Sequence, residues 1–473
     1  MKSFIHRFRE KIAGVLSGWD RIRFRGTTRR VSNLSGMGSF LWEQKVLLKD
    51  FKGWAISLTE KLKRSTEQLA EQNGLKVQHV PSSSTRKETL ARSLAGERWD
   101  RVGISSILSC TECCRTFSVG PNRDLKKLEL RYHDSKCSHY YFYLRHPQWG
   151  PLHVRLQTWL PFSVHVCLNG RDWLGSEMVR RGLPHTQCDN TFTFVSDVAK
   201  AQRLLDRQLE TNWERSLDRL LAQVFPVQRK LFDCPMMYYW SADETEWATD
   251  VMFHSAADLA NLYPRLVQQG IQQFGGEDVL RFLGRPGTIR QQREAALQSD
   301  LKTRHEGVRI KHSLNRNSLK MYDKQKTVLR IETTVNDPRD MKAYRPTEGD
   351  PQGKPEWRRL RKGVSDLHRR AQVSQASNER YLEALSTVDD GQTLQEATAS
   401  VCRPAIWSGG RARALNPLAD HDAALLTAVN RGEFAINGFR NRDIVALLHG
   451  ERPTNAAEAK RRAAQITRQL RLL

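Results

Sequence analysis

The sequence predicts a multidomain α+β protein built from antiparallel β-sheets, a helical domain and a C-terminal helix-turn-helix-like tail. Three observations predict it. Apolar and polar residues alternate at period two in two separate stretches, and stripes at the helical period of 3.6 fill the segments between them. The chain of 473 residues, 39% apolar with 12 Trp, is longer than one ordinary core organises and apolar enough to pack several. Shifts in composition divide it into 1–105, a basic helical and β region; 106–195, an antiparallel β domain; and 196–300, a helical region. Then follow 301–342, a β-meander carrying a Tyr and a Glu; 356–400, a basic helical region; and 415–473, the tail.

A formal net charge of +24, spread along the whole length, points to a polyanionic partner, DNA first and RNA second. A merely soluble basic protein is the plainer reading. No run of about 18 apolar residues predicts a membrane span. The first ten residues lack the apolar core of a secretory signal. The expectation is a cytoplasmic chain with no membrane partner; oligomeric state leaves no trace in the sequence.

In the N-terminal region, Phe4, Ile5, Phe8, Ile12, Val15 and Leu16 lie on one stripe, which predicts a basic amphipathic helix over 4–16. Arg21-Ile-Arg-Phe-Arg25 alternates, which predicts a strand with three arginines on one face, suited either to gripping phosphates or to a solvated edge. Helices follow over 37–74 and 87–94, separated by a Pro81-Ser-Ser-Ser turn.

Five alternating segments between Thr116 and Leu168 predict the antiparallel sheet. At its edge Cys110, Cys113, Cys137 and His139 form a Cys3His set that would suit Zn2+; ordinary reduced thiols are the alternative, because the second pair is atypically spaced. One long helix is expected from Val198 to Leu221. A further helix over 238–253 would stand Glu246 and Asp250 one turn apart, where two carboxylates can hold a divalent cation or simply form a solvated acidic face.

The most informative stretch runs from Val308 to Val335. Val308 and Ile310, Leu319 and Met321, and Leu329, Ile331, Thr333 and Val335 alternate with polar neighbours, which predicts three short strands. If the apolar set faces a core, Arg309, Lys311, Lys320, Tyr322, Arg330 and Glu332 share one exposed face. Beyond a Pro/Gly loop over 345–355, a basic helix is expected over 357–370, with Trp357 packed inward and Arg358, Arg359, Arg361 and Lys362 along a phosphate backbone. A further linker is read near Ser408-Gly-Gly410. In the tail, helices over 420–431, 441–448 and 456–472 suit a helix-turn-helix whose last helix offers Arg461, Arg462, Gln465 and Arg468 to a major groove. A generic three-helix packing element fits the same pattern.

Asn317-Ser-Leu-Lys-Met-Tyr-Asp-Lys324 with Leu329-Arg-Ile-Glu-Thr333 resembles a segment of the rolling-circle replication initiators of plasmids and filamentous phages, in which a Tyr-Asp-Lys strand end precedes an Arg-x-Glu strand. The likeness covers roughly 30 residues. The whole chain also resembles a family of long bacterial proteins associated with mobile DNA. The resemblance implies that Tyr322 attacks a DNA phosphodiester and that Glu332, with Asp323 or another acid, binds Mg2+ or Mn2+. It also implies that Lys320, Lys324 and Arg330 stabilise charge on the phosphate oxygens. The chain departs from those initiators in having no His-apolar-His motif. Two expectations follow: a metal-dependent DNA endonuclease or strand transferase of a mobile element, nucleoid-associated in a bacterium, or a non-catalytic binder of DNA or structured RNA.

Overall fold

In a computed structural model, the described residues are 1–232, 236–284, 296–304, 307–347, 349–350, 352–388, 402–407, 410–417, 419–431, 434, 438–451 and 453–473. The linker at Ser408-Gly-Gly410 falls mostly outside them. The chain is mixed α and β and forms two compact units from interleaved segments. One joins Met1–Gly14, Val251–Thr333 and Ala376–Leu473; the other joins Val15–Asp250 and Thr334–Gln375. Among the described residues no helix is long and apolar enough to cross a membrane.

The expected opening helix is shorter than its stripe: α1 spans Lys2–Arg7, and β1 begins at Ile12 and runs to Thr28. Leu16 to Asp20 are buried without a break, so this half of β1 shows no period-two signal; from Arg21 onward exposed and buried residues alternate. Next come α2 (Leu34–Glu43), α3 (Phe51–Gln72) and α4 (Lys87–Ala95), where helices were expected, with β2 (Val77–Val80), which was not, between the last two. In α3, Phe51, Ala55, Leu58, Leu62 and Thr66 make the buried stripe.

The strands β3 (Gly103–Asn122), β4 (Lys127–His146), β5 (Gly150–Gln157) and β6 (Val164–Asn169) pair antiparallel in sequence, while β2 joins β3 in parallel. Then α5 (Gly170–Arg180), the hairpin β7 (His185–Cys188) and β8 (Thr191–Val195), and α6 (Val198–Asp206) and α7 (Trp213–Val224) follow. The single long helix expected over 198–221 is two, because the Asn212 side chain accepts the Arg215 N–H at 3.0 Å and starts a new helix.

Residues 238–253, expected to be helical, form β9 (Tyr238–Phe253). Almost every residue of its second half is buried, so alternation, the usual mark of a strand, is absent. Strands of the second unit run in the order β9-β1-β6-β5-β4-β3-β2. The Arg21–Arg25 segment is therefore interior to the sheet, hydrogen-bonded to β6, and not an edge.

In the first unit, α8 (Ala256–Gln268) and α9 (Gly276–Phe282) precede β10 (Leu297–Arg304), β11 (Gly307–Leu314), β12 (Asn317–Lys324) and β13 (Val328–Val335), neighbours in that order. The last three are the strands expected from alternation; β10 adds a fourth. Ile310 lies opposite Met321 and His312 opposite Leu319, all four buried. Tyr381 packs edge-on against Phe282 and reaches His312 at 3.1 Å, which closes this apolar face.

The expected 357–370 helix is replaced by a ribbon of β14 (Lys342–Arg345) and β15 (Glu356–Arg359), and helix begins only at α10 (Leu367–Leu385). In the tail, α11 (Asp420–Val429), α12 (Asn441–His449) and α13 (Ala456–Leu470) enclose Leu425, Ala428, Ile444 and Ile466 in one small core.

Gly170 fixes how α5 meets β1: a Cβ there would stand 2.1 Å from the Trp19 carbonyl oxygen, which neighbouring backbone cannot yield. Gly170→Ala is expected to lower stability by about 1–3 kcal/mol in urea unfolding. Gly38→Ala, in α2 with open space around the new Cβ, is expected to stabilise by up to about 1 kcal/mol. Equal effects of the two would contradict this packing.

Candidate functional site

On β12, alternation puts Ser318, Lys320, Tyr322 and Lys324 on the face opposite Leu319 and Met321. Register with β11 sets Arg309 across from Tyr322 and Lys311 across from Lys320. From β13, Glu332 meets both: Lys320 Nζ donates to Oε1 and the Tyr322 hydroxyl to Oε2, each at 2.5 Å. Lys324 Nζ lies 6.0 Å from the Tyr322 ring centroid. The six residues expected on one face do share it, but Arg330 and Glu332 are 0% and 2% exposed, where an exposed surface was expected. Alternation tells which side a residue takes, not what covers that side.

Burial alone would raise the Glu332 carboxyl. The Lys320 ammonium and Arg330 guanidinium, with hydrogen bonds from Lys320 and Tyr322, outweigh it and hold the group at about 2. Lys311 is lowered by burial and by the neighbouring Lys320 and Arg309 charges, as expected where cations crowd one face. Asp323 follows Tyr322 on the strand and so takes the opposite face, where burial raises its carboxyl. Asp323 and Glu332 therefore do not converge on a shared cation.

Glu246 and Asp250 also stay apart. Four residues on a strand span about 13 Å, against one turn on the expected helix. Asp250 pairs with the fully buried Arg171 at 3.0 Å. Glu246 pairs with Arg21 at 3.0 Å and brings a carboxylate oxygen within 4.8 Å of one from Asp20. Asp20 is 4% exposed and accepts two hydrogen bonds from Asn190 Nδ2, at 2.9 and 2.8 Å. Asp20 was not singled out from the sequence, where it stands beside Arg21 with nothing to mark it as buried. The phosphate grip read into Arg21, Arg23 and Arg25 is instead matched by acids, with Glu244 and Glu246 on Arg21, Glu244 on Arg23 and Asp243 on Arg25.

The expected Cys110, Cys113, Cys137 and His139 set divides. Cys110 packs among Val80, Ala91, Tyr141 and Tyr143, and Cys113 is exposed on the opposite face of β3. Cys137 and His139 come together with Cys114 instead.

On the β14–β15 ribbon, Tyr344 lies directly opposite Trp357 and Lys342 opposite Arg359, all on one face. The two rings are 5.7 Å apart and 60% and 67% exposed, so Trp357 does not pack inward. Arg358 takes the other face of the ribbon. Arg361 and Lys362 lie in the segment beyond β15, where the Lys362 carbonyl accepts from Ala242 N at 2.8 Å. In the tail, Arg461, Gln465 and Arg468 are exposed on α13, whereas Arg462 is tied to Glu458 at 2.6 Å.

Compared with known proteins, the chain matches no family model, no curated protein and no solved structure.

Because Glu332 is held below its ordinary value of 4.5, its stabilising effect is complete above that pH and fades as pH falls toward about 2. Glu332→Gln should cost about 3–5 kcal/mol near pH 7, since it strands Lys320 and Arg330. Urea titrations of both proteins should show the gap narrowing below pH 4.5; a gap that widens on acidification would contradict the assignment.

Proposed function

We propose that this chain is a nucleic-acid-binding protein of a mobile element that cuts and transfers DNA strands with Tyr322 as nucleophile. The observation that carries the reading is the Tyr322 hydroxyl, aimed by Glu332 and set among Lys320, Lys324 and Arg309 on one sheet face. A phenol has the acceptor oxygen to attack phosphorus, and fixed cations around it favour the charge that gathers on phosphate oxygens. In the step, the Tyr322 oxygen bonds to phosphorus and the bond from phosphorus to the 3′ oxygen breaks. The phenolic proton leaves to solvent, and the 3′ oxygen takes one up. Glu332 is already paired with Lys320 through one oxygen and accepts from Tyr322 through the other, so its part is to orient the hydroxyl.

Mg2+ or Mn2+, when bound, would polarise the scissile phosphate. Glu332, on the same face as Tyr322, offers a hard oxygen donor of the kind that such an ion takes. The segment likeness to rolling-circle initiators agrees with a tyrosine nucleophile and adds the mobile-element context.

A second reading, a non-catalytic binder of DNA or structured RNA, is favoured by a separate observation. The β14–β15 ribbon offers two exposed rings and two cations on one face, a surface on which bases stack while phosphates are neutralised. Trp357→Ala is expected to weaken single-stranded DNA binding by about 1–3 kcal/mol, and wild-type affinity to fall steeply with salt. Fluorescence anisotropy reads both; unchanged affinity would remove the ribbon from the interface.

Incubation with labelled single-stranded and hairpin DNA plus Mg2+ or Mn2+ separates the two readings. Strand transfer predicts a covalent protein–DNA band on a denaturing gel that vanishes in Tyr322→Phe while binding persists. Tight, salt-sensitive binding without cleavage under either metal would leave only the binder.

A further inference from the structure

We propose that Cys114, Cys137 and His139 form a three-ligand zinc site on the β3–β4 ladder, with the fourth position open to water. This inference does not rest on the proposed function.

The ladder builds the site. Glu112 lies opposite Cys137 and Cys114 opposite Ser135, so Cys114 and Cys137 are diagonal neighbours on one face, and His139 follows two residues along the same face of β4. Each of the three offers a ligand atom within 4.8 Å of the other two, and the two sulfurs are 2.7 Å apart. Tetrahedral zinc, with Zn–S of about 2.3 Å and Zn–N of about 2.0 Å, holds its donors roughly 3.5–3.8 Å from one another, a spacing reached by small side-chain rotations.

The histidine supplies an independent indication. His139 is 0% exposed, and its Nδ1 lies 3.1 Å from the Cys137 carbonyl oxygen. A carbonyl only accepts, so Nδ1 carries the proton and Nε2 keeps its lone pair. That Nε2 is buried, makes no hydrogen bond of good geometry, and faces the Cys114 sulfur, so its lone pair is aimed into the cluster. A ring whose other nitrogen is fixed on a carbonyl is how zinc-binding histidines are held. Two thiolates and a neutral imidazole balance the charge of Zn2+, and thiolate with imidazole is a donor set that zinc accepts readily.

Glu112 is not the fourth ligand: Tyr141 and Lys87 take one of its oxygens and Arg155 the other. Among the described residues no other Cys, His, Asp or Glu joins the three. Cys114 and Cys137 are only partly buried, which leaves the ion a solvent-facing position.

Metal analysis of the purified full-length chain should find one zinc per chain, lost in Cys114→Ser and in His139→Ala. Cys113→Ser, on the other face, should keep it. Cobalt substitution guards against variants that misfold: the wild type should gain thiolate-to-cobalt absorption, and Cys113→Ser the same. Zinc near zero, zinc unaffected by Cys114→Ser, or a Cys114–Cys137 disulfide in a non-reducing peptide map would each overturn the proposal.

Discussion

A carboxylate removed almost wholly from water, Glu332, is the constraint on which the β11–β13 face depends. Left alone, a buried charge of this kind costs several kcal/mol or gives up its ionisation. Here Lys320 and Arg330 keep it ionised, and the Tyr322 hydroxyl completes its hydrogen bonding. The compensation runs both ways: the same carboxylate fixes the Lys320 ammonium and aims the phenol. Tyr322, half-buried and locked to a neighbour on the next strand, has lost most of the rotational freedom that an isolated surface tyrosine would keep. The chemistry proposed for Tyr322 is thus a by-product of how a single buried acid is accommodated.

Elsewhere, the difference between a cationic surface and a neutralised one is set by what the next strand carries. Arg21, Arg23 and Arg25 were candidates for gripping phosphate, yet β9 presents Asp243, Glu244 and Glu246 to them. A phosphate would have to displace those carboxylates. Among the described residues no acid pairs with Lys342 or Arg359 on the β14–β15 ribbon, and its exposed rings add stacking area. The net charge of +24 is therefore partly neutralised within the fold, and the basic segments are not equally open to an anion.

Legibility in the sequence followed burial. β11 and β12, each with a partly exposed face, kept their alternation and were read in place; β13 is buried throughout but carries polar residues on one face, so it kept the pattern too, and with it the shared face of Arg309, Lys320 and Tyr322. Strands buried on both sides, β9 and the first half of β1, lost it and were read as helix, and this put Glu246 and Asp250 in a false pairing. Asp20 was invisible for the same reason. Trp357 misled because four basic residues after an aromatic also suit a helix, whereas its cross-strand partner Tyr344 lies across a Pro/Gly loop. The cysteines were within reach: counting back from the turn after Asn122 sets Cys114 diagonal to Cys137, but motif spacing drew attention to Cys110 and Cys113. Helix starts at side-chain caps such as Asn212 were likewise legible in retrospect.

The central claim, that the hydroxyl held by Glu332 is the nucleophile, is tested most directly by locating the DNA attachment. After incubation with an oligonucleotide and Mn2+, nuclease and protease digestion followed by tandem mass spectrometry should find a single nucleotide-linked peptide, modified on Tyr322. Attachment to another residue such as Tyr344, or no linked peptide under conditions where DNA is bound, would contradict it.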